Sequence, residues 1–418
     1  MKILVFYPYI PYPLDRGTYQ RTFHLLRALA RDHEVDLLAL AENGENMDQR
    51  AVFEEFCGEV EFVSFEHPKW ERLFPTRLLN PRPANVAHWT LPHVAEALAR
   101  RLERKQYDLV HVCDLVLAQY FVDAHRDQRL SMDRSRVDLQ FQLMEHARMQ
   151  FPLKKRLLRY EGYAKLWFYE RKIARRVDLE VVCGPDDEVF LHKYVDRGMP
   201  IQVVANGVDL EYFCPDAVPD ARAEKPTVLF CGAMDYNPNI DALRWYFSEV
   251  HDRLRRLVPD LEVLVVGKAP VPEVVAHGQR EGVTVTGGVP DVRPYYRRSW
   301  MQIVPLRIGG GTRLKIVESM AMGTPVVSTT IGAQGLDLRH GDDILLADTA
   351  EDFARETARA LGDAPLRARI EELGKKTANE RLSWPMIGKR LSDLYQERFG
   401  TVAGRHGAPA LNEPVIAG

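Results

Sequence analysis

Short runs rich in Val, Ile and Leu recur through both halves of the chain, separated by longer stretches whose apolar residues fall at helical spacing. Such runs are the strands of parallel sheets, buried on both faces, and the stretches between them are crossover helices. In the first half the pattern predicts strands at Lys2–Phe6, Val35–Leu40, Val60–Phe65, Leu109–Val112, Leu139–Leu143, Leu179–Cys183 and Gln202–Val204. In the second half it predicts strands at Val228–Cys231, Glu262–Val266, Val283–Thr286, Gln302–Pro305, Pro325–Ser328 and Ile344–Leu346. Alternation of this kind predicts an α/β chain of two Rossmann-like domains.

Asn206-Gly207 marks a turn, and the polar stretch from Pro215 to Pro226, with Pro219 inside it, reads as a linker. The expected division is a first domain over 1–205, a linker over 206–225 and a second domain over 226–382. Residues 383–399 form a final amphipathic helix capped by Ser383, with Pro385 in its first turn. The Gly- and Pro-rich remainder, 400–418, is expected to be a flexible tail.

A length of 418 residues suits two cores better than one. Lys plus Arg total 56 against 59 acidic residues, so no whole-molecule field favours nucleic acid, and any polyanion site must be local. The five cysteines are scattered and never spaced Cys-x-x-Cys, which argues for a reduced, cytoplasmic chain without a disulfide framework or zinc site. The apolar start, Ile3 to Phe6, is too brief for a signal peptide, and no apolar stretch approaches the ~18 residues of a bilayer span. Peripheral membrane contact stays open. Residues 151–176 hold nine Lys or Arg against Glu161 and Glu170, interleaved with Leu153, Leu157, Leu158, Trp167 and Phe168. A basic helix with aromatics can lie on anionic lipid; the rival reading is a first-domain helix with solvated charges.

The stretch Pro305 to Gly335 carries the chemistry. After a strand come Gly309, Gly310 and Gly311, then a helix opened by Thr312 and carrying Arg313, Lys315 and Glu318. A glycine turn entering a helix presents free backbone N–H groups to an anion. Lys315 and Glu318, at i and i+3, share one helix face, which offers a cation for a diphosphate and an acceptor for ribose hydroxyls. An ordinary Rossmann-like turn is the rival reading. Earlier in the chain, Arg16, Gly17 and Arg21 follow the first strand, where Gly17 would let backbone approach a ligand and the arginines could face phosphate; a plain strand-to-helix connection is the rival reading.

Glu318, Met320, Ala321, Gly323, Pro325, Val326 and Val327 resemble the signature of glycosyltransferase family 4, whose members are retaining enzymes of the GT-B fold. Asn206-Gly207-Val208-Asp209 resembles the end of the first domain in that family. The chain departs from it at Gly310, where many members place a glutamate eight positions before Glu318; the GGGTRLKI form looks like a recognised branch. A second departure is the lack of any cation in Gly232–Asn239, where the family keeps an Arg and a Lys.

The resemblance implies two Rossmann-like domains facing a central cleft, with the final helix crossing back to the first domain. It implies transfer of a sugar from a nucleoside-diphosphate sugar to an acceptor hydroxyl, with retention, in polysaccharide or glycoconjugate synthesis. The acceptor would be lipid-linked or a growing glycan. Glu318 would hold the ribose, and His146 would sit by the donor sugar as a catalytic residue; His111 and Asp114 stand second to it. Lys315, Arg313 or both would supply the missing diphosphate charge, with Lys315 also stabilising the leaving group. No Asp-x-Asp motif occurs, so neither metal nor cofactor is expected beyond the donor. Two alternatives remain: a nucleotide-sugar-binding partner without turnover, and a GT-B nucleotide-sugar epimerase.

Overall fold

The structure is a computed structural model and describes residues 1–67, 79–122, 124–148, 152–219, 221–309 and 312–400. Gly310, Gly311 and the tail from 401 onward lie outside the described residues.

Two parallel sheets form. The first contains β1 (Lys2–Tyr7), β2 (Glu34–Glu42), β3 (Val60–Phe65), β4 (Leu109–Cys113), β5 (Leu130–Arg134), β6 (Leu179–Val182) and β7 (Ile201–Val203), in spatial order 3-2-1-4-5-6-7. The second contains β8 (Thr227–Cys231), β9 (Glu262–Val266), β10 (Val283–Gly287), β11 (Met301–Val304), β12 (Val326–Ser328) and β13 (Leu345–Leu346), in order 10-9-8-11-12-13. In both, the order reverses beside the first strand, between β1 and β4 and between β8 and β11. Open α/β sheets bind ligands outside the carboxyl ends of the strands at that reversal. The architecture is α/β, with two Rossmann-like domains.

One predicted strand is a helix. Leu139, Phe141 and Leu143 alternate as in a strand, but residues Asp138–Arg148 form a helix in which Leu139 and Phe141 are buried and Leu143 is exposed. Gln, Met, Glu and Ala around them are good helix formers. The fifth strand is instead Leu130–Arg134, whose Ser131, Asp133 and Arg134 are buried and paired. Arg134 donates to both oxygens of Glu170, at 2.8 and 2.6 Å, and lies 2.7 Å from Glu180.

The closing helix, Trp384–Phe399, belongs to the core of the first domain, where Ile387, Leu391 and Tyr395 pack with Leu25, Leu26 and Leu29 of the first helix, Gly17–Asp32. Gly388 permits the approach: a Cβ there would stand 2.2 Å from that of Ala28. The Tyr395 hydroxyl meets His111 Nδ1 at 2.6 Å and Ser131 Oγ at 2.7 Å, so the helix is keyed to the sheet beneath it. Ser383 precedes the helix, but its side chain makes no capping bond.

Candidate functional site

The site helix runs Leu314–Ala321, so it opens two residues later than the sequence suggested, and Thr312 and Arg313 precede it. Its first turn lies beside the ends of β8 and β9. There Gly232 and Gly267 sit at φ of +155° and +157°, and a Cβ on Gly232 would stand 2.9 Å from Lys315 Nζ. Only glycine admits the ammonium so close to the backbone. Lys315 Nζ donates to Asn239 Oδ1 at 2.8 Å and lies 4.5 Å from the centre of the Phe230 ring. The cation absent from Gly232–Asn239 is thus delivered to that loop from the site helix.

On the same face, Glu318 Oε2 accepts from the Tyr296 hydroxyl at 3.0 Å. Burial raises the Glu318 carboxyl to about 7, against the lowering effects of Tyr296 and Lys315. Burial likewise lowers the Lys315 ammonium to about 8, with nearby Arg313 pulling the same way. Each charge is held close to neutralisation. Perturbation of this kind is concentrated at functional sites and also occurs in structural networks of charged groups.

The other candidates take different places. Thr312 is an interdomain clasp: its hydroxyl donates to Cys183 O at 3.0 Å and accepts from Asn206 N at 3.2 Å. Arg313 lies against Gly309, where a Cβ would stand 2.3 Å from its guanidinium, and burial lowers its pKa. Gly17 faces the site helix directly, since a Cβ there would meet Leu314 Cδ1 at 2.9 Å. Arg16 is exposed, beside the Tyr19 ring at 5.2 Å. Arg21 does not face a phosphate: it is 1% exposed, forks onto Asp133 at 2.6 and 2.9 Å, and donates to Val204 O and Asn206 Oδ1.

His146 lies on the Asp138–Arg148 helix, and not at a strand edge. Its Nε2 meets the Tyr160 hydroxyl at 2.9 Å. The structure brings Lys315 and Glu318 together; it does not bring His146 into contact with them. The preceding residue, Glu145, is the one that reaches across, accepting from Asn237 Nδ2 at 3.0 Å. Further cross-domain contacts are the ion pair of Lys268 with Asp15 at 2.5 Å and the stack of Phe141 on Tyr236. Sequence reasoning missed Asn239, Tyr296, Lys268 and Glu145. The one available signal was position: Asn239 lies in the first turn of a helix just past β8, and Lys268 follows β9.

At the reversal of the first sheet, a cavity of about 70 Å³ is lined by Tyr7, Tyr9, Asp114, Arg136 and Asp138. Asp114 has φ +104°, a conformation costly for a non-glycine residue and concentrated at functional positions. It is open to the cleft yet densely flanked by protein, and burial followed by Asp138 raises its carboxyl to about 6. Thr18 also lines this cavity, next to Gly17, so the cavity adjoins the site helix across the cleft.

Among the described residues, His111, Cys113 and Asp133 come within reach of a common ion, a grouping their sequence spacing hides. They do not fit a metal: Arg21 forks onto the Asp133 carboxylate and Tyr395 engages His111.

Residues 16–212 match the family described as Glycosyltransferase Family 4, and residues 225–363 match Glycosyl transferases group 1. D-inositol 3-phosphate glycosyltransferases of Nocardiopsis dassonvillei and Streptomyces bingchenggensis are 26% and 28% identical over 54% and 50% of this chain. The chain spans about half the length of these curated relatives, 57% and 50% respectively. Sucrose-phosphate synthase of Thermosynechococcus elongatus superimposes with a TM-score of 0.72 at 18% identity, covering 96% of this chain and 100% of that one. Anabaena HepE in complex with UDP gives 0.63 at 15% identity, covering 95% and 100%. At such identities the superpositions speak for the fold. The chain is similar to family 4 glycosyltransferases along its first domain and to group 1 glycosyl transferases along its second, and its fold is GT-B.

Proposed function

We propose that this protein transfers a sugar from a nucleoside-diphosphate sugar to an acceptor hydroxyl, using Lys315 for the diphosphate and Glu318 for the ribose. The observation that carries the reading is the pair itself, one helix turn apart at the sheet reversal, with each charge weakened by burial. A diphosphate beside Lys315 restores the ammonium, and two ribose hydroxyls donate to a Glu318 carboxylate. Anabaena HepE, which shares the fold, has been crystallised with UDP-glucose, a donor of this chemical class.

As the glycosidic bond to the donor breaks, negative charge gathers on the departing diphosphate. Lys315, already placed and poorly solvated, stabilises that charge without reorganising. The acceptor enters from the Asp114 cavity, and its hydroxyl proton passes to the leaving diphosphate on the same face, so the anomeric configuration is retained. The chain itself asks for no metal: Lys315 meets the charge that a divalent ion would otherwise offset. His146, next to cross-cleft Glu145, positions that helix through Tyr160. Arg16 and Gly17 border the diphosphate from the first domain, with Gly309 and Arg313 behind it. The biological setting that fits is polysaccharide or glycoconjugate synthesis.

Acceptor-dependent release of nucleoside diphosphate tests the reading. Thermal shift with UDP, GDP and dTDP identifies the base, since binding raises apparent stability by mass action. Donor binding unchanged in both Lys315→Ala and Glu318→Gln refutes the site; binding without turnover on any acceptor refutes the reaction.

A further inference from the structure

The basic helix, Leu153–Ala174, flanks the first domain and has two apolar faces. One face, with Tyr163, Leu166, Tyr169 and Ile173, is buried in the domain. The opposite face carries Leu153, Leu157, Tyr160, Ala164 and Phe168, spaced i, i+4, i+7, i+11 and i+15, so they form a single line. These side chains stand in solvent: Leu153 is 71% exposed, Leu157 62% and Phe168 66%. The line is about 22 Å long at the α-helical rise. A water-facing helix surface ordinarily carries polar side chains there, and a contiguous apolar strip marks an interaction face.

Cations border the strip. Arg156 lies on one edge, Lys172 on the other, and Arg175 continues the line past Phe168. On this helix Glu161, which lies beside the strip, is paired with Lys165 at 2.6 Å. Beyond Phe168 the surface dips into a cavity of about 350 Å³ lined by Arg82, Gln119, Tyr169 and Lys172 as well. Its two cations face a space large enough for a phosphate headgroup.

We propose that this face docks on an anionic lipid bilayer. The apolar strip enters the boundary between headgroups and acyl chains. The long basic side chains lie along it with their charges among the lipid phosphates, one of which occupies the Arg82 and Lys172 cavity. Charge selects a membrane over a second copy of the chain. In an antiparallel pair the Arg156 end of one helix meets the Arg171 and Arg175 end of the other, and among the described residues of this helix no exposed carboxylate lies at either end.

Co-sedimentation of the full chain with phosphatidylcholine vesicles, with and without phosphatidylglycerol, tests this, alongside sedimentation velocity without lipid. The expected result is binding to the anionic vesicles alone, reversed by high salt. L157E/F168E, changed only at exposed positions, unfolds at the same temperature and partitions roughly a hundredfold less. R82E/K172E loses at least roughly thirtyfold. Three results overturn the proposal: wild-type protein left in the supernatant, L157E/F168E binding as wild type, or a wild-type dimer that L157E/F168E converts to monomer.

Discussion

Arg21 and Lys315 occupy comparable positions: each lies in the first turns of a helix that follows a glycine at the carboxyl edge of a sheet, and each looks like a phosphate ligand in the sequence. The structure spends them differently. Arg21 is buried among Asp133, Asn206 and the backbone at 204 and 205, and every arm of its guanidinium is engaged. Among the described residues Lys315 hydrogen-bonds one side chain, the neutral Asn239, and lies over the Phe230 ring, with its ammonium weakened by burial. The first cation holds the end of β5 and the interdomain linker in place; the second faces no carboxylate at hydrogen-bond distance among the described residues. Residue type and spacing do not separate these uses, whereas the count of partners does.

The largest effect expected from breaking this comparison is at Arg21. Arg21→Met leaves Asp133 buried without its partner and costs about 3–5 kcal/mol of stability, read by thermal unfolding. Arg21→Lys recovers little of it, because an ammonium cannot fork onto the carboxylate.

Next come Lys315→Ala and Glu318→Gln, each lowering donor kcat/KM by roughly 100- to 1000-fold. Neither lowers the unfolding temperature. Burial raises the Glu318 carboxyl, so the native chain holds a proton that the unfolded chain releases. That group's contribution to stability therefore falls as pH rises from its ordinary 4.5 through about 7. Glu318→Gln removes the cost and raises the melting temperature at pH 8 by roughly 2–4 °C. A fall in melting temperature would place Glu318 with Arg21 among the structural groups.

A smaller effect sharpens the same contrast. Donor kcat/KM reports the free enzyme, in which Glu318 loses its charge below about 7 and Lys315 loses its own above about 8. The profile is a narrow bell between those values, and Glu318→Gln abolishes its acidic limb. Least is expected from Gly17→Ala. Its new methyl meets only the flexible end of Leu314, so KM shifts about two- to threefold, within the ~1 kcal/mol of a tolerated packing change.

Most of the fold was legible because its strands are apolar on both faces. β3 and β9 lie at the predicted limits, and the others within a few residues. β5 was hidden because Ser131, Asp133 and Arg134 are polar residues buried through partners on distant segments, Tyr395, Arg21 and Glu170. Its absence left the alternation at 139–143 to be read as the missing strand. At the candidate site, the shared helix face of Lys315 and Glu318 was legible from their spacing. Thr312 was misassigned for the reason that Arg21 was: the partners that occupy it, Cys183 and Asn206, are more than a hundred residues away.

The closing helix bears on how the molecule comes into being. During synthesis the β1–β7 sheet emerges first, but the surface formed by Leu25, Leu26 and Leu29 stays bare until Ile387, Leu391 and Tyr395 leave the ribosome. The second domain, whose strands all precede them, is able to condense in the meantime. A nascent chain stopped short of residue 384 would keep an apolar flank that invites chaperones, so the half made earliest is the one finished last.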